Sequence, residues 1–540
     1  MQEDAPVLIA GGGLVGLAMA MFLAQHGVRS VAIEKLKTPS PLPRAAFFHM
    51  RTFELFRAAG IEEQVIEQSQ REFTPDGAIV GVESLAGRQI AAFIPSLNEG
   101  VEALSPCRRW FVSQPGLEPI LRRRAEEVGA NVITGHEVAS AAQDADGVSV
   151  TVRDTETGAE RALRARYLVA AEGARSRIRE QSGIGMNGRG VFSNAITIYF
   201  RADLSPFLKD RNLSIIYVNN DVLAGFFRLE KSGRRGFLVV NTVGDHHANP
   251  EAAANVAADI SHPRLIELVR AAAGAPDLDV EIEGVARWRA TSDVAERYRD
   301  GRIFIAGDAA HLMPPNGGFG GNTGIHDAHN LAWKLALVLK GAASEGLLDT
   351  YEAERRPVGQ MTVDQAYARY VTRTAPYLGA TDYPAPLDDF RIELGYLYSS
   401  AAIVSDPGAP RGTEDPRASH GRPGSRAPHL WLERDGRRTS TLDLYGEGFT
   451  LIAATAGGLW AQAADATRRA LPLAGLRTFV VGHAGLSDPE NAFAAAHELE
   501  PPGAILVRPD GFVCWRAAAL PANPDSALQD AMRHALCLAV

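Results

Sequence analysis

The chain of 540 residues contains only three cysteines, Cys107, Cys514 and Cys537, and no two of them stand in a CxxC spacing. Three cannot all pair within one chain, so a disulfide framework is not expected and a reducing, cytoplasmic setting is. The chain also lacks an excess of positive charge. Its net charge is −9, Lys and Arg are scattered, and the densest basic run, in RRRAEE at Arg122–Glu127, reads as the wet face of a helix. Nucleic acid is therefore not expected as a partner. Long apolar runs are missing as well. The stretch VLIAGGGLVGLAMAMFLAQHGV, Val7–Val28, is broken by Gly11, Gly12 and Gly13, whereas a bilayer span needs about 20 apolar residues. Its flank MQEDAP is acidic where a signal peptide is positive, so no membrane association is expected. Metal-ligand patterns are sparse: His326 and His329 share a predicted helix and Asp245–His247 reads DHH. Neither has the carboxylate context of a metal site, and no metal is expected.

What is present is an ordinary globular composition, 46% apolar and 22% charged, in a chain long enough for two or three domains. APVLIA is a short continuous apolar run, as in a strand buried on both faces of a parallel sheet. Gly11, Gly13 and Gly16 then match G-x-G-x-x-G, and LVGLAMAMFLAQHG reads as the following helix. In such a unit the glycines permit a tight turn, close approach to a diphosphate, and close packing of helix on strand. SVAIEK is the next strand, ending at Glu34, placed to accept hydrogen bonds from ribose hydroxyls. An acid here suits an unphosphorylated ribose, so FAD or NAD fits better than NADP.

A second stretch decides between them. GRIFIAGDAAHLMPPNGGFGGNTGIHDAHNLAWKLALVLKG, Gly301–Gly341, runs strand, GDAAH, a Pro- and Gly-rich loop, then a helix expected to begin near Asn322. Ile325, Ala328, Ala332, Leu335 and Leu339 repeat with a buried helical period. Asp308 could bind a polyol hydroxyl, and glycines at 317, 318, 320 and 321 let the backbone approach a flat ligand. The helix would point its positive end at a ligand that becomes anionic on reduction.

This pattern resembles the second FAD motif of the single-component flavoprotein aromatic hydroxylases, the p-hydroxybenzoate hydroxylase superfamily. LLDTYEAERRPV, Leu347–Val358, is similar to the family's next segment. YLVAAEGARSRIR, Tyr167–Arg179, resembles its third signature, with Glu172 where the family usually has Asp. The resemblance implies an α/β protein. A Rossmann-like FAD domain would comprise residues 1–75, 105–185 and 285–375. An α+β middle domain would carry an antiparallel substrate sheet, residues 76–104 and 186–284. It implies FAD held by Gly11, Gly13, Leu14, Val15, Gly16, Glu34 and Lys35 at one end. Asp308, Pro315, Gly318, Gly320, Gly321 and Asn322 would hold it at the other. Arg44 would face the flavin phosphates or ring, Gln114 the ribityl chain and the Val138 backbone the adenine. The Glu172 segment serves both FAD and the pyridine nucleotide in the family, so the extra methylene bears on NADPH handling.

By the same resemblance NADPH or NADH is a transient co-substrate. O2 is activated at C4a of the flavin, and one oxygen passes to an electron-rich phenol ring. Tyr217, Phe226 and Phe227 are candidates to face that ring. No residue stands out as an acid–base catalyst; His311 and His49 are the candidates. Among branches of the family, the chain looks most like the hydroxylases of bacterial aromatic polyketide pathways in antibiotic biosynthesis. Small-phenol catabolism, a Baeyer–Villiger oxygenation and a flavoprotein that sequesters an intermediate without oxygenating it remain alternatives. A halogenase is disfavoured, because ARWRAT at Ala286–Thr291 does not match W-x-W-x-I-P.

Residues 376–425 are rich in Pro, Gly, Asp and Arg and read as a linker around a short helix at 388–402. From 426 to 540 short strands and helices alternate in a pattern that resembles the thioredoxin-like C-terminal domain of the larger hydroxylases. Without a CxxC, a structural or dimerising role is expected there, in a monomer or homodimer.

Overall fold

The computed structural model describes residues 4–39, 46–241, 256–375, 381–454 and 457–539. Arg44 and the DHH run Asp245–His247 lie outside the described residues. Strand Val7–Ala10 is fully buried and sits at the centre of a six-stranded sheet. The order is Arg299–Asp300, Ile303–Ile305, Tyr167–Ala170, Val7–Ala10, Ser30–Glu34, Asn131–Thr134. All neighbours are parallel except the first pair. Continuous apolar runs suit this placement, since a strand covered on both faces has no wet side. Helix Leu14–Gln25 packs against helices Gln114–Glu127 and Phe319–Leu339. The last starts three residues earlier than Asn322, because Gly318 takes up a left-handed φ of +70° and serves as its N-cap. Arg122 and Arg124 pair with Glu126 and Glu127 on the outer face of their helix, as the charge pattern suggested.

A second, eight-stranded sheet begins at the strand His311–Leu312, which follows the six-stranded sheet in the chain. Its order is His311–Leu312, Glu281–Ala295, Met186–Arg201, Arg235–Asn241, Ala224–Leu229, Leu213–Asn219, Ala78–Val82, Gln89–Ile94. It is antiparallel apart from the pair Leu213–Asn219 and Ala78–Val82. The strand Glu281–Ala295 stays in this sheet ten residues past 285, held by its long pairing with Met186–Arg201. Asn220 closes the hairpin, its side-chain oxygen accepting the N–H groups of Val222 and Leu223. One face of the sheet is sealed by helix His262–Ala273 through Leu265, Leu268, Val269 and Ala272. The other face carries Ile79, Tyr217 and Phe226, which cluster with Phe47 and Phe111.

The C-terminal part holds a four-stranded sheet in the order Leu476–Val480, Phe449–Ala453, Ala504–Val507, Val513–Ala517. The first pair is parallel and the others antiparallel, and helices Gly458–Ala470 and Pro524–Ala535 pack together beside it. Cys514 is buried there, and burial pushes its thiol up to about 12, so it stays protonated at neutral pH. The short helix before this part spans Asp389–Leu394. Among the described residues no helix is long and apolar enough to cross a membrane.

Buried charges tie the C-terminal part and its linker to the first domain. Glu354 accepts from Lys334 at 2.7 Å and from Arg508 at 2.6 Å, all three side chains fully enclosed. Glu54 accepts from Arg426 at 2.9 Å, from Arg51 at 3.0 Å and from Ser105 at 2.7 Å. Burial alone would raise the Glu54 carboxyl, but Arg426 and Arg51 outweigh it and hold the group down to about 2 from an ordinary 4.5. A carboxyl lowered on folding contributes its full stability above the ordinary value and loses it as pH falls toward the folded value. Thermal stability is therefore expected to drop as pH falls from 4.5 toward 2. Glu54→Gln should cost on the order of 3–5 kcal/mol at neutral pH by leaving two buried cations unpaired. It should also flatten the acid slope. Calorimetry across that range checks both, and an unchanged slope in the variant would count against the pairing.

Candidate active site

Ala10 is in register with Ile33 and Ala170, and Ala170 with Ile305, so four parallel strands end at one level. Gly11, Glu34, Glu172 and Asp308 all emerge at that edge, where ligands of open α/β sheets bind. The glycines of the first loop have different jobs. A Cβ on Gly11, whose φ is +104°, would collide with the Ala171 carbonyl oxygen, and one on Gly16 with the Gly11 carbonyl oxygen. Those two serve the protein's own packing. Gly13 has an ordinary φ of −79°, and a Cβ there would come no nearer to any atom than 3.7 Å, at Glu118 Oε1. The space above Gly13 is left open, and Gly13 caps helix Leu14–Gln25 without any side-chain cap. Backbone N–H groups at an uncapped helix start suit a diphosphate. Leu14 is buried below the loop. Val15 is the contact between the two motifs, wedged where Cβ atoms on Gly307 or Gly324 would crowd its Cγ2 at 2.8 and 2.6 Å.

Glu34 stands beside the loop, accepting the N–H groups of Gly12 at 2.7 Å and Leu36 at 2.8 Å, with Lys35 exposed next to it. Gln114 begins the helix capped by Ser113 and donates to Glu118 Oε1 at 2.6 Å, close to Gly13. Val138 is buried on strand His136–Gln143, which packs against Ser30–Glu34. Glu172 accepts from Ser176 Oγ at 2.6 Å and from the Ile178 N–H at 3.1 Å, so its longer side chain anchors helix Arg177–Gln181. Burial raises its carboxyl above the ordinary range.

At the second motif Gly307 adopts a φ of +63°, and Asp308 next to it is exposed toward the gap. A Cβ on Gly320 would lie 4.0 Å from Asp308 Oδ1. Pro315 accepts the Gly318 N–H at 3.0 Å, closing the turn ahead of helix Phe319–Leu339, which has no side-chain cap. Gly320 and Gly321, both partly exposed, form its first turn. Asn322 holds the loop rather than the gap: it donates to Phe47 O and Gly318 O and accepts from His49 N–H and Thr52 Oγ. The open space over Gly13, two uncapped helix starts and an acid facing the gap fit a flavin dinucleotide.

Above the loop the eight-stranded sheet presents Tyr217 and Phe226, which are cross-strand partners on one face. Phe93 meets Tyr217 edge-on at 5.6 Å, and Phe47 and Phe111 complete the apolar wall. Asn316, from the glycine loop, reaches Tyr217 Oη at 3.5 Å and Thr374 Oγ1 at 2.8 Å. Phe227 is a correction. It packs in the core under helix His262–Ala273, because neighbouring residues of a strand point to opposite faces. Applied to Phe226–Phe227, that alternation could have separated the two from sequence. Asn316, Thr374, Phe47 and Phe93 carried no comparable signal, since they come from four separate segments.

The two candidate histidines are corrected as well. His311 is fully enclosed and donates to Asp327 at 2.8 Å. His49 is buried with its ring on the Gly317 carbonyl at 3.0 Å, and burial pushes its pKa down. Neither ring is exposed; His49 braces the glycine loop and His311 the buried Asp327. His326 bonds Thr52 Oγ and His329 meets the Phe22 ring edge-on.

Residues 4–366 match the family model described as FAD binding domain, and residues 420–538 match aromatic-ring hydroxylase, C-terminal. The chain belongs to the FAD-dependent aromatic-ring hydroxylases. It is 50% identical to 4-methyl-5-nitrocatechol 5-monooxygenase of Burkholderia sp, over 99% of this chain and 98% of that protein. It is 38% identical to tetracenomycin A2 monooxygenase-dioxygenase of Streptomyces glaucescens, over 99% and 97%. Its structure is similar to that of a ternary complex of aklavinone-11 hydroxylase with FAD and aklavinone, with a TM-score of 0.93 at 36% identity over 99% of this chain and 100% of that one.

This hydroxylase is thus an FAD-dependent aromatic monooxygenase. Bound FAD supplies the electron transfer from NAD(P)H and the activation of O2; the chain supplies position, electrostatics and shelter from water. Gly13→Val should fold, since a Cβ there meets no atom nearer than 3.7 Å, yet purify largely colourless because the valine fills the candidate diphosphate space. Asp308→Ala should behave alike, whereas Gly16→Val should fail to fold. The ratio of flavin to protein absorbance, read beside a melting curve, separates the three. Stoichiometric flavin in folded Gly13→Val would refute the assignment.

Proposed function

We propose that this hydroxylase acts on a single-ring substituted phenol or catechol. The observation that carries this reading is the meeting of Asn316 and Tyr217 at 3.5 Å, which joins the glycine loop to the sheet. Beside them Phe93, Phe226 and Phe47 form a compact aromatic wall suited to one ring. The 50% identity to a nitrocatechol monooxygenase supports the same class. The polycyclic polyketide expected from the sequence is the second reading, favoured by the TM-score of 0.93 to the aklavinone-11 hydroxylase complex.

In the proposed cycle Gly13 and the helix start behind it hold the diphosphate, Glu34 the ribose and Asp308 the ribityl chain. The uncapped start of helix Phe319–Leu339 stabilises negative charge on the reduced ring. Tyr217 and Asn316 orient the substrate hydroxyl, and the aromatic wall excludes water. NADPH or NADH visits transiently, the described residues holding one glycine-loop sheet edge, at Gly11–Gly16. The strand order and flanking helices of residues 426–540 support a thioredoxin-like domain that acts structurally, its buried Cys514 being no nucleophile.

The reading is tested by NAD(P)H and O2 consumption of the purified yellow protein against substituted catechols, simple phenols and polycyclic phenols, with product analysis. Stimulation and an added oxygen with the one-ring compounds are expected. Turnover confined to polycyclic phenols would establish the second reading. Flat consumption throughout would favour a flavoprotein that binds without oxygenating.

A further inference from the structure

Asp327 lies two turns into helix Phe319–Leu339, is fully buried, and plays no part in the chemistry above. Its carboxylate is fully used. Oδ2 accepts the Gly307 N–H at 3.1 Å and His311 Nε2 at 2.8 Å, while Oδ1 accepts Arg355 Nε at 2.8 Å. Gly307 is the residue before Asp308. It takes a left-handed φ of +63°, open to glycine without strain, and packs closely on Val15, so no other residue fits the turn. Arg355, on helix Gly346–Arg369, also donates to Thr323 O and to Tyr398 Oη, each at 3.1 Å. Tyr398 in turn stacks on Phe512, at 4.1 Å between ring centroids, in the turn ahead of the last strand of the C-terminal sheet. The contacts are continuous from the C-terminal part to the turn that presents Asp308.

We propose that the C-terminal domain holds the flavin-binding turn in place through Phe512, Tyr398, Arg355 and Asp327, with Asp327 as the positioning residue for Gly307–Asp308. Arg355 keeps the buried carboxylate charged, and a charged acceptor grips the Gly307 N–H more strongly than a neutral one. The domain's contribution to this enzyme is then made at the cofactor, at a distance from both substrate and thiol chemistry. This rests on FAD binding by the chain and is independent of which phenol is the substrate.

The test titrates FAD into apoprotein by quenching of flavin fluorescence, with apoprotein melting temperature and the absorption envelope of the bound flavin as parallel readouts. Three variants are compared. Asp327→Asn keeps the shape and removes the charge. Tyr398→Phe removes only the hydroxyl that receives Arg355. Glu393→Gln breaks another buried pair, with Arg109 at 2.8 Å, outside the Phe512–Tyr398–Arg355–Asp327 path. Asp327→Asn is expected to weaken FAD about tenfold or more and to alter the flavin envelope, and Tyr398→Phe about threefold. Glu393→Gln is expected to lower the melting temperature while FAD affinity stays within about twofold. FAD affinity unchanged in both relay variants, or weakened as much by Glu393→Gln, would overturn the proposal. Should Asp327→Asn fail to fold, the comparison of Tyr398→Phe with Glu393→Gln decides it.

Discussion

The common level at which Ala10, Ile33, Ala170 and Ile305 end their strands is the constraint on which the rest of this hydroxylase depends. Parallel pairing in that register brings four loops from distant parts of the chain to one edge. Each loop then contributes a different group: a glycine turn, two acids, and a turn carrying Asp308. The sheet can hold this geometry because its strands are buried on both faces and cannot slip without exposing apolar side chains. Val15, caught between Gly307 and Gly324, locks the first motif to the second.

Around this edge the protein invests buried charge where apolar packing would give stability more simply. Glu54, Glu354 and Asp327 each sit with arginines or lysine in enclosed positions, and each lies between the flavin domain and the segments that follow it. Charged pairs demand particular distances and partners, so they specify how the C-terminal part docks. The same arginines that neutralise these acids also reach backbone carbonyls and tyrosines, which makes the docking directional.

The proposed substrate side follows a different logic. Its wall is built from side chains of the sheet, of the Phe47 strand and of the glycine loop, with Asn316 and Tyr217 as the polar pair. Changes at Phe93 or Phe226, on the sheet, alter this wall without touching the flavin loops, whereas Phe47 and Asn316 belong to both. Relatives that act on catechols and on polyketides can therefore share one cofactor scaffold.

Much of the candidate flavin edge was legible in the sequence because it is local. Gly11, Gly13, Gly16 and Glu34 fall within one strand–helix–strand unit, and Asp308 with the glycine loop falls within another, so spacing along the chain is spacing in the fold. The antiparallel strands and the Asn220 turn were legible through alternation and turn chemistry for the same reason. The two histidines read differently in three dimensions. His311 and His49 sit in the right motifs, but only packing decided that both rings are buried, His49 against the glycine loop and His311 against Asp327. Phe227 lost its place to strand pleating, and Asn322 is occupied by Phe47, His49 and Thr52 from a segment more than 250 residues away. The chain by itself determined the cofactor class and the layered α/β plan, since periodicity and glycine spacing act over a few turns. The meeting of Asn316 with Tyr217 and the path from Phe512 to Gly307 were decided by tertiary structure alone, because each joins residues whose separation along the chain carries no information about distance in space.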